Sequence, residues 1–262
     1  MNPKTYLIIL NTPICKTEPS IFTNLWNSST IRICADGGSN RLYDFNSDFK
    51  PDFIKGDLDS IEESVKDYYS GLGVKICLDR DQDSTDLGKC LALVQEIERE
   101  REGDELVWVL IHGGIGGRLD QTIHTLHTLL KLELEPINRN EKMTKDNEEE
   151  VIKRSYERQV WVVDSFSKNL TFVINKEFQH ELMIEKSWKR ESELTCGILP
   201  IGVNEAIVTT KGLRWDLDDT ITSMTGLLST SNQVAKCTEV IEIETNENII
   251  WTMEIPKESK DF

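Results

Sequence analysis

Four groups of aspartate and glycine follow four short apolar runs, and their composition suits a divalent cation and nucleotide phosphates. The run 31–35 is followed by Asp36-Gly37-Gly38, and the run 51–54 leads into Gly56-Asp57-Leu58-Asp59-Ser60. The run 74–78 ends in Asp79-Arg80-Asp81-Gln82-Asp83-Ser84-Thr85-Asp86, and the run 106–111 in His112-Gly113-Gly114-Ile115-Gly116-Gly117-Arg118-Leu119-Asp120. Carboxylates crowded together repel by ~4 kcal/mol per pair at about 4 Å and an effective dielectric near 20. A polyphosphate would be repelled more strongly still. A divalent cation relieves both, and Mg²⁺ is held by one or two carboxylates together with substrate phosphates and water. Asp57 and Asp59, two apart in a glycine-led turn, can aim at one pocket, and Asp86 at the start of a helix can join them.

The glycines complement the acids. Gly113, Gly114, Gly116 and Gly117 expose backbone N–H groups and let an anion come close. A helix following such a turn points its positive end at the same place, and Arg118 adds a fork-shaped cation for phosphate oxygens. Each motif also has a purely structural reading. Asp-Gly and Gly-Gly are ordinary turn formers, and Asp83, Ser84 and Asp86 suit a helix N-terminus without any ligand. The functional reading rests on all four falling at successive strand ends. His124 and His127, three apart, with Asp120 nearby, fit a helix of mixed exposure better than a metal triad. His112 can be a phosphate contact or a buried, hydrogen-bonded histidine.

The elements that must position these groups are legible from periodicity. The runs 6–10, 31–35, 74–78 and 106–111 are short and continuously apolar, as strands buried on both faces are. Between them lie helical patterns. One begins near Ser84 and carries Leu87, Cys90, Leu91, Val94 and Ile97; another covers about 119–132, with Leu119, Ile123, Leu126 and Leu130 on one stripe. Alternating strands and helices predict an α/β domain with a mostly parallel sheet and flanking helices, whose carboxyl-end rim receives ligands. After Pro136 the pattern changes. Residues 138–158 are polar and charged, with Glu148-Glu149-Glu150 at the centre, and read as an insertion or linker. From Gln159 the strand signals are closely spaced (160–163, 170–174, 206–210, 240–243, 249–255), which predicts a C-terminal antiparallel β-sandwich. The expected division is 1–137, 138–158 and 159–262.

Composition narrows the partners. The formal net charge of the 262 residues is -16, which argues against nucleic acid or an anionic membrane. The six cysteines form no C-x-x-C pair, and a reducing, cytoplasmic setting is expected. The run 6–10 is too short for a signal-peptide core or a membrane span. The chain lacks G-x-x-x-x-G-K-[ST], and Gly114-Ile115-Gly116-Gly117 does not complete G-x-G-x-x-G, which disfavours P-loop and dinucleotide enzymes. Lys211-Gly212-Leu213-Arg214-Trp215-Asp216 is polar and glycine-led, so Trp215 is a candidate for stacking on an aromatic ligand.

The chain resembles the eukaryotic thiamine pyrophosphokinases, in their fungal form, over nearly its whole length. The resemblance is carried by Ala35-Asp36-Gly37-Gly38-Ser39-Asn40, Gly56-Asp57-Leu58-Asp59-Ser60, Asp81-Gln82-Asp83-Ser84-Thr85-Asp86, Gly113 to Gln121, Gly212-Leu213-Arg214-Trp215 and Ser229-Thr230-Ser231-Asn232, in the family's order. Residues 138–158 match poorly.

The resemblance implies an enzyme that transfers the pyrophosphoryl group of ATP to thiamine with Mg²⁺, giving thiamine diphosphate and AMP. It implies metal ligation by Asp57, Asp59 and Asp86, with Arg118 and Asp120 completing the catalytic set. ATP contacts are expected from Asp36, Gly37, Gly38, Asn40, Gln82, Asp83, Ser84, Thr85, Gly113, Gly114 and Gly117. Thiamine contacts are expected from Leu213, Trp215, Ser229, Thr230, Ser231 and Asn232. It further implies a homodimer, with the thiamine site formed between one subunit's α/β rim and the other's sandwich. The competing readings are a kinase moving only the γ-phosphoryl group to a small alcohol, and a non-catalytic binder of thiamine or nucleotide.

Overall fold

The computed structural model describes residues 3–100, 106–134, 158–185, 188 and 194–256. Two compact units divide the chain, one built on Met1–Gln121 and Pro136–Ser167, the other on Thr122–Glu135 and Lys168–Asp261. Of the expected insertion 138–158, only Arg158 lies within the described residues.

The first unit holds strands β1 (Lys4–Ile9), β2 (Ile31–Ala35), β3 (Phe53–Gly56), β4 (Lys75–Leu78), β5 (Val107–His112) and β6 (Arg158–Asp164). Every pairing is parallel, in the order β6-β5-β1-β2-β3-β4. Tyr6, Leu7, Ile8 and Ile9 are fully buried, as a central strand covered on both faces requires. The helices are α1 (Ser20–Ser28), α2 (Gly38–Phe45), α3 (Glu63–Gly71) and α4 (Asp86–Arg99). Each buries one stripe: Ile21, Phe22, Leu25 and Trp26 on α1, and Leu87, Cys90, Leu91 and Val94 on α4. Thr85 caps α4, its Oγ1 accepting from the Gly88 N–H at 3.3 Å.

β6 departs from the expected pattern. The strand signal at 160–163 groups with the antiparallel half, yet β6 runs parallel to β5, with Val107 opposite Arg158 and His112 opposite Val163. A parallel neighbour needs a long crossover, and the chain from Leu119 to residue 157 provides that length. The reversal of strand order places β1 between β2 and β5. In open parallel sheets, ligands bind outside the carboxyl ends of strands at such a switch point.

The second unit contains β7 (Asn169–Ile174), β8 (His180–Met183), β9 (Thr195–Leu199), β10 (Ala206–Lys211), β11 (Thr220–Thr222), β12 (Ser229–Gln233), β13 (Val240–Thr245) and β14 (Ile249–Glu254). Their pairings are antiparallel, in the orders β12-β9-β14-β7 and β11-β10-β13-β8. Along β13, Ile241, Ile243 and Thr245 are buried while Glu242 and Glu244 are not, the alternation of a sheet with one covered face. Trp251 on β14 is fully buried. The division between units falls within α5 (Leu119–Leu134). Its buried side is Thr125, Leu126 and Leu129, whereas Leu119 and Ile123 are 73% and 50% exposed. The expected stripe is therefore off by part of a turn at its start.

Candidate active site

Three carboxylates converge at the rim of the parallel sheet. Asp36 follows β2, Asp57 follows β3 and Asp86 opens α4, and one oxygen from each lies within 4.8 Å of the others. At that spacing each unscreened pair costs about 3 kcal/mol at an effective dielectric near 20. The chain compensates with one ammonium. Lys89, one turn into α4 and only 3% exposed, places Nζ 3.4 Å from Asp57 Oδ2 and 3.6 Å from Asp86 Oδ1.

Protonation follows this geometry. Burial raises the Asp86 carboxyl, with Asp57 and Asp59 adding to it and Lys89 opposing. Asp36 is also raised, first by burial. Burial works against ionisation of Asp57 too, but Lys89 and the Asp59 N–H outweigh it and hold this carboxyl low. For Lys89, burial pulls downward, and attraction to Asp57 and Asp86 holds it above its ordinary value.

The backbone around the acids is tightly fixed. Asp36 adopts a left-handed φ of 42° and Leu58, between Asp57 and Asp59, a φ of 62°. For non-glycine residues such conformations cost about 1–3 kcal/mol each and persist where surroundings over-determine them. Here Asp36 Oδ2 accepts from the Ser60 N–H and Oδ1 from the Ile61 N–H, both at 3.0 Å. Asn40 bonds the same loop, donating to Ser60 O at 2.9 Å and accepting from Glu62 N–H at 3.0 Å. Glycine is required at 56: an added Cβ would lie 2.7 Å from Asp36 Cβ and 3.0 Å from Asp86 Oδ1.

Asp59 shares the turn but is not one of the three converging carboxylates. Its Oδ1 accepts from Ser60 Oγ at 2.8 Å, and its N–H leans on Asp57 Oδ1 at 3.4 Å. Asp36, expected as an ATP contact, joins Asp57 and Asp86 in the converging set, and Asp59, expected as a metal ligand, borders it. Gln82, Asp83, Ser84 and Thr85 are exposed. Asp81 shapes their loop, accepting from Asp83 N–H at 2.9 Å and Ser84 Oγ at 2.6 Å.

The glycine turn lies beside the end of β1. Gly113, Gly114, Gly116 and Gly117 all have positive φ, between 67° and 95°, so side chains there would be strained. Thr12 Oγ1 accepts from the Gly114 N–H at 3.2 Å, joining the loops after β1 and β5 at the switch point. Gly37 and Gly38 have a packing reason as well: a Cβ on Gly38 would sit 2.2 Å from Ile9 O, and one on Gly37 2.5 Å from Asn11 Nδ2. Arg118 is exposed and grips Asp120 in a bidentate pair, Nε to Oδ1 being 3.1 Å. That pair holds the Asp120 carboxyl below its usual range, which makes it a weak base. His112 is buried, with Nε2 2.8 Å from Ser165 Oγ. It is the hydrogen-bonded core histidine, not a phosphate contact.

In the second unit, Trp215 is 54% exposed and Arg214 lies over its ring at 4.7 Å. Asn232, 4% exposed, bonds the Trp215 backbone through both amide atoms. Asp216 anchors the same turn, accepting from Leu213 N–H at 2.9 Å and Thr210 Oγ1 at 3.1 Å. Leu213 is buried and Ser229 half-buried, while Thr230 and Ser231 are exposed at a bulge where β12 shifts register against β9.

Sequence reasoning missed Lys89 and Thr12. Lys89 had a signal, because a lysine three residues after Asp86 sits among apolar residues on the buried side of a helix. Thr12 had none.

The chain is similar to known proteins over nearly its whole length. A family model described as the catalytic domain of thiamin pyrophosphokinase matches residues 22–141, and one described as its vitamin B1 binding domain matches 179–250. The chain is 34% identical over 263 residues to "Thiamine pyrophosphokinase 3" of Oryza sativa subsp. japonica, covering 95% of this chain and 86% of that protein. It is 29% identical to "Thiamine pyrophosphokinase" of Saccharomyces cerevisiae, covering 95% and 85%. The crystal structure of yeast thiamin pyrophosphokinase superposes with a TM-score of 0.79 at 27% identity, covering 98% of this chain and 88% of that one.

Proposed function

The chain belongs to the thiamine pyrophosphokinase family and transfers the pyrophosphoryl group of ATP to thiamine, and we propose that the three carboxylates at the sheet rim form its metal and phosphate centre. The observation that carries this reading is the convergence of Asp36, Asp57 and Asp86 beside the glycine turn. The donor set is all carboxylate, without imidazole or thiolate, and suits a hard, oxygen-seeking divalent cation such as Mg²⁺. Asp57 and Asp86 would hold it, with Asp36 behind them and Asp59 at the edge of the same turn. When bound, such an ion supplies positive charge against the phosphate oxygens.

In the reaction the thiamine hydroxyl oxygen bonds to the β-phosphorus of ATP, and its proton passes to a rim carboxylate (Asp120 or one of the metal-region acids) and on to solvent. The bond from that phosphorus to the α–β bridging oxygen breaks, and AMP leaves with that oxygen. Transfers of this kind depend on positioning and charge neutralisation. The Gly113 and Gly114 N–H groups are bonded to Val163 O and Thr12 Oγ1 and shape the turn, while the N–H groups of Ile115 and Gly117 and the positive ends of α4 and α5 favour the polyphosphate. Arg118, kept in place by Asp120, offsets charge developing on the phosphates. The exposed residues 82–85 border the ATP, and Asp36, Gly37, Gly38 and Asn40 shape the nucleotide side of the rim. Trp215 stacks on the substrate's aromatic rings, within a surface formed with Leu213 and residues 229–232.

The same proposal includes a homodimer in which thiamine lies between one subunit's rim and the partner's sandwich. The exposed apolar side chains Ile221, Met224 and Leu227 of the second unit are available for such an interface. All six cysteines are free, which supports a cytoplasmic location. No described helix is long and apolar enough to cross a membrane. Incubation with ATP, thiamine and Mg²⁺ should release AMP and form thiamine diphosphate in equal amounts. ADP as the nucleotide product would overturn the reading.

A further inference from the structure

Lys89 is the one basic group whose nitrogen lies within 4 Å of two members of the carboxylate triad among the described ion pairs. Its side chain is almost completely buried, and a buried lysine is uncommon without partners. Its stem fills a position on the apolar stripe of α4 between Leu87 and Cys90, so the ammonium is delivered to the rim from inside the unit. Asp57 belongs to the loop after β3 and Asp86 to the first turn of α4; Lys89 therefore ties together two elements whose carboxylates repel. Three carboxylates and one ammonium leave a formal charge of −2, which one divalent ion balances.

We infer that Lys89 is a positioning residue that stands in for the metal, holding Asp57 and Asp86 together before the divalent cation and nucleotide arrive and matching the site to a single ion. The inference rests on the metal reading above. It assigns Lys89 no contact with substrate. Without it, the rim would have to assemble its own ligands during metal binding, against their mutual repulsion.

The test compares wild type and Lys89→Met by thermal unfolding, with EDTA and with Mn²⁺ alone, and by Mn²⁺ titration followed by electron paramagnetic resonance. In EDTA the Met variant should unfold about 5 °C or more below wild type, since an uncompensated charge cluster is left half-buried. Mn²⁺ should then raise its unfolding temperature by more than it raises that of wild type, because the ion takes over the role of the missing ammonium. Equal Mn²⁺-induced shifts in the two proteins would overturn the inference while leaving the metal site intact. A wild type that binds no Mn²⁺ would overturn the metal reading, and this inference with it. If Lys89→Met does not fold under either condition, the double variant Asp57→Asn/Lys89→Met decides. Recovery of folding on removal of one acid supports the charge role, and continued failure shows that Lys89 serves packing alone.

Discussion

The side-chain amide of Asn232 holds the backbone of Trp215 at both ends. Oδ1 accepts the Trp215 N–H at 3.3 Å, and Nδ2 donates to the Trp215 carbonyl at 2.8 Å. A large exposed ring is thus mounted on a fixed backbone, with Arg214 over it. An exposed ring on a fixed backbone is available for stacking on an aromatic ligand. Trp215→Ala should raise the KM for thiamine about 5- to 30-fold, a loss of about 1–2 kcal/mol, and leave the KM for ATP unchanged. Steady-state kinetics varying each substrate separately checks this, and an unchanged thiamine KM rules out the stacking role.

Asn232→Asp separates the mount from the ring. The substitution keeps the size but replaces the Nδ2 donor with an acceptor facing the Trp215 carbonyl. An unsatisfied buried group of this kind costs about 1–3 kcal/mol. The thiamine KM should rise although Trp215 is intact, and the unfolding temperature should fall. A variant with lowered stability and wild-type KM would show that the Trp215 backbone does not depend on this amide.

Asp57→Asn and Asp86→Asn each remove one charge from the converging triad while preserving shape. Turnover should drop on the order of 10²-fold or more, with the circular dichroism spectrum unchanged. Asp36→Asn should behave differently. Both Asp36 oxygens accept from backbone N–H groups of the loop, and an amide nitrogen cannot replace one of them. This variant should lose stability as well as activity, and parallel thermal melts of the three proteins make the distinction.

The legible and illegible parts of this site differ in physical kind. Asp57, Asp86 and the glycine turn were legible because strand ends in a parallel sheet share one rim, so local order along the chain predicts shared location. Asp36 was underrated because its role depends on two hydrogen bonds to residues 24 and 25 positions away, which no local pattern records. Asp59 lies in the same turn, and its charge acts on Asp36 and Asp86 as the two-residue spacing suggests, although it is not one of the three carboxylates that converge most closely. The parallel placement of β6 was hidden because its run looks like any strand, and only pairing with β5 reveals its direction.

Gly56→Ala tests how closely the triad is packed. The added methyl would press on Asp36 Cβ and Asp86 Oδ1, and overpacking of this kind costs about 1–3 kcal/mol. Gly71 is the control, since a Cβ there meets nothing within 4 Å. Gly56→Ala should lower both the unfolding temperature and kcat, whereas Gly71→Ala should retain wild-type kcat. Equal kcat in the two variants would mean that the triad tolerates displacement.

His112 gives the metal-free protein a defined pH dependence. Burial lowers its pKa from 6.5 to about 4, against the opposing charge of Asp164. The unfolded chain therefore takes up this proton near pH 6.5, and the folded protein only near 4. The stability His112 contributes by staying neutral is complete above 6.5 and is lost progressively as the pH falls to about 4. The total is about 3 kcal/mol at most. Its edge-to-face contact with Phe22 at 4.9 Å and its bond to Ser165 keep the ring in place, so the effect should appear as stability and not as a change of fold. His112→Gln cannot titrate. Its unfolding temperature should start lower at pH 7, through lost packing, and then fall less steeply than that of wild type between pH 6.5 and 4. Thermal melts in EDTA across that interval measure the two slopes, and parallel slopes would show that His112 does not govern acid stability.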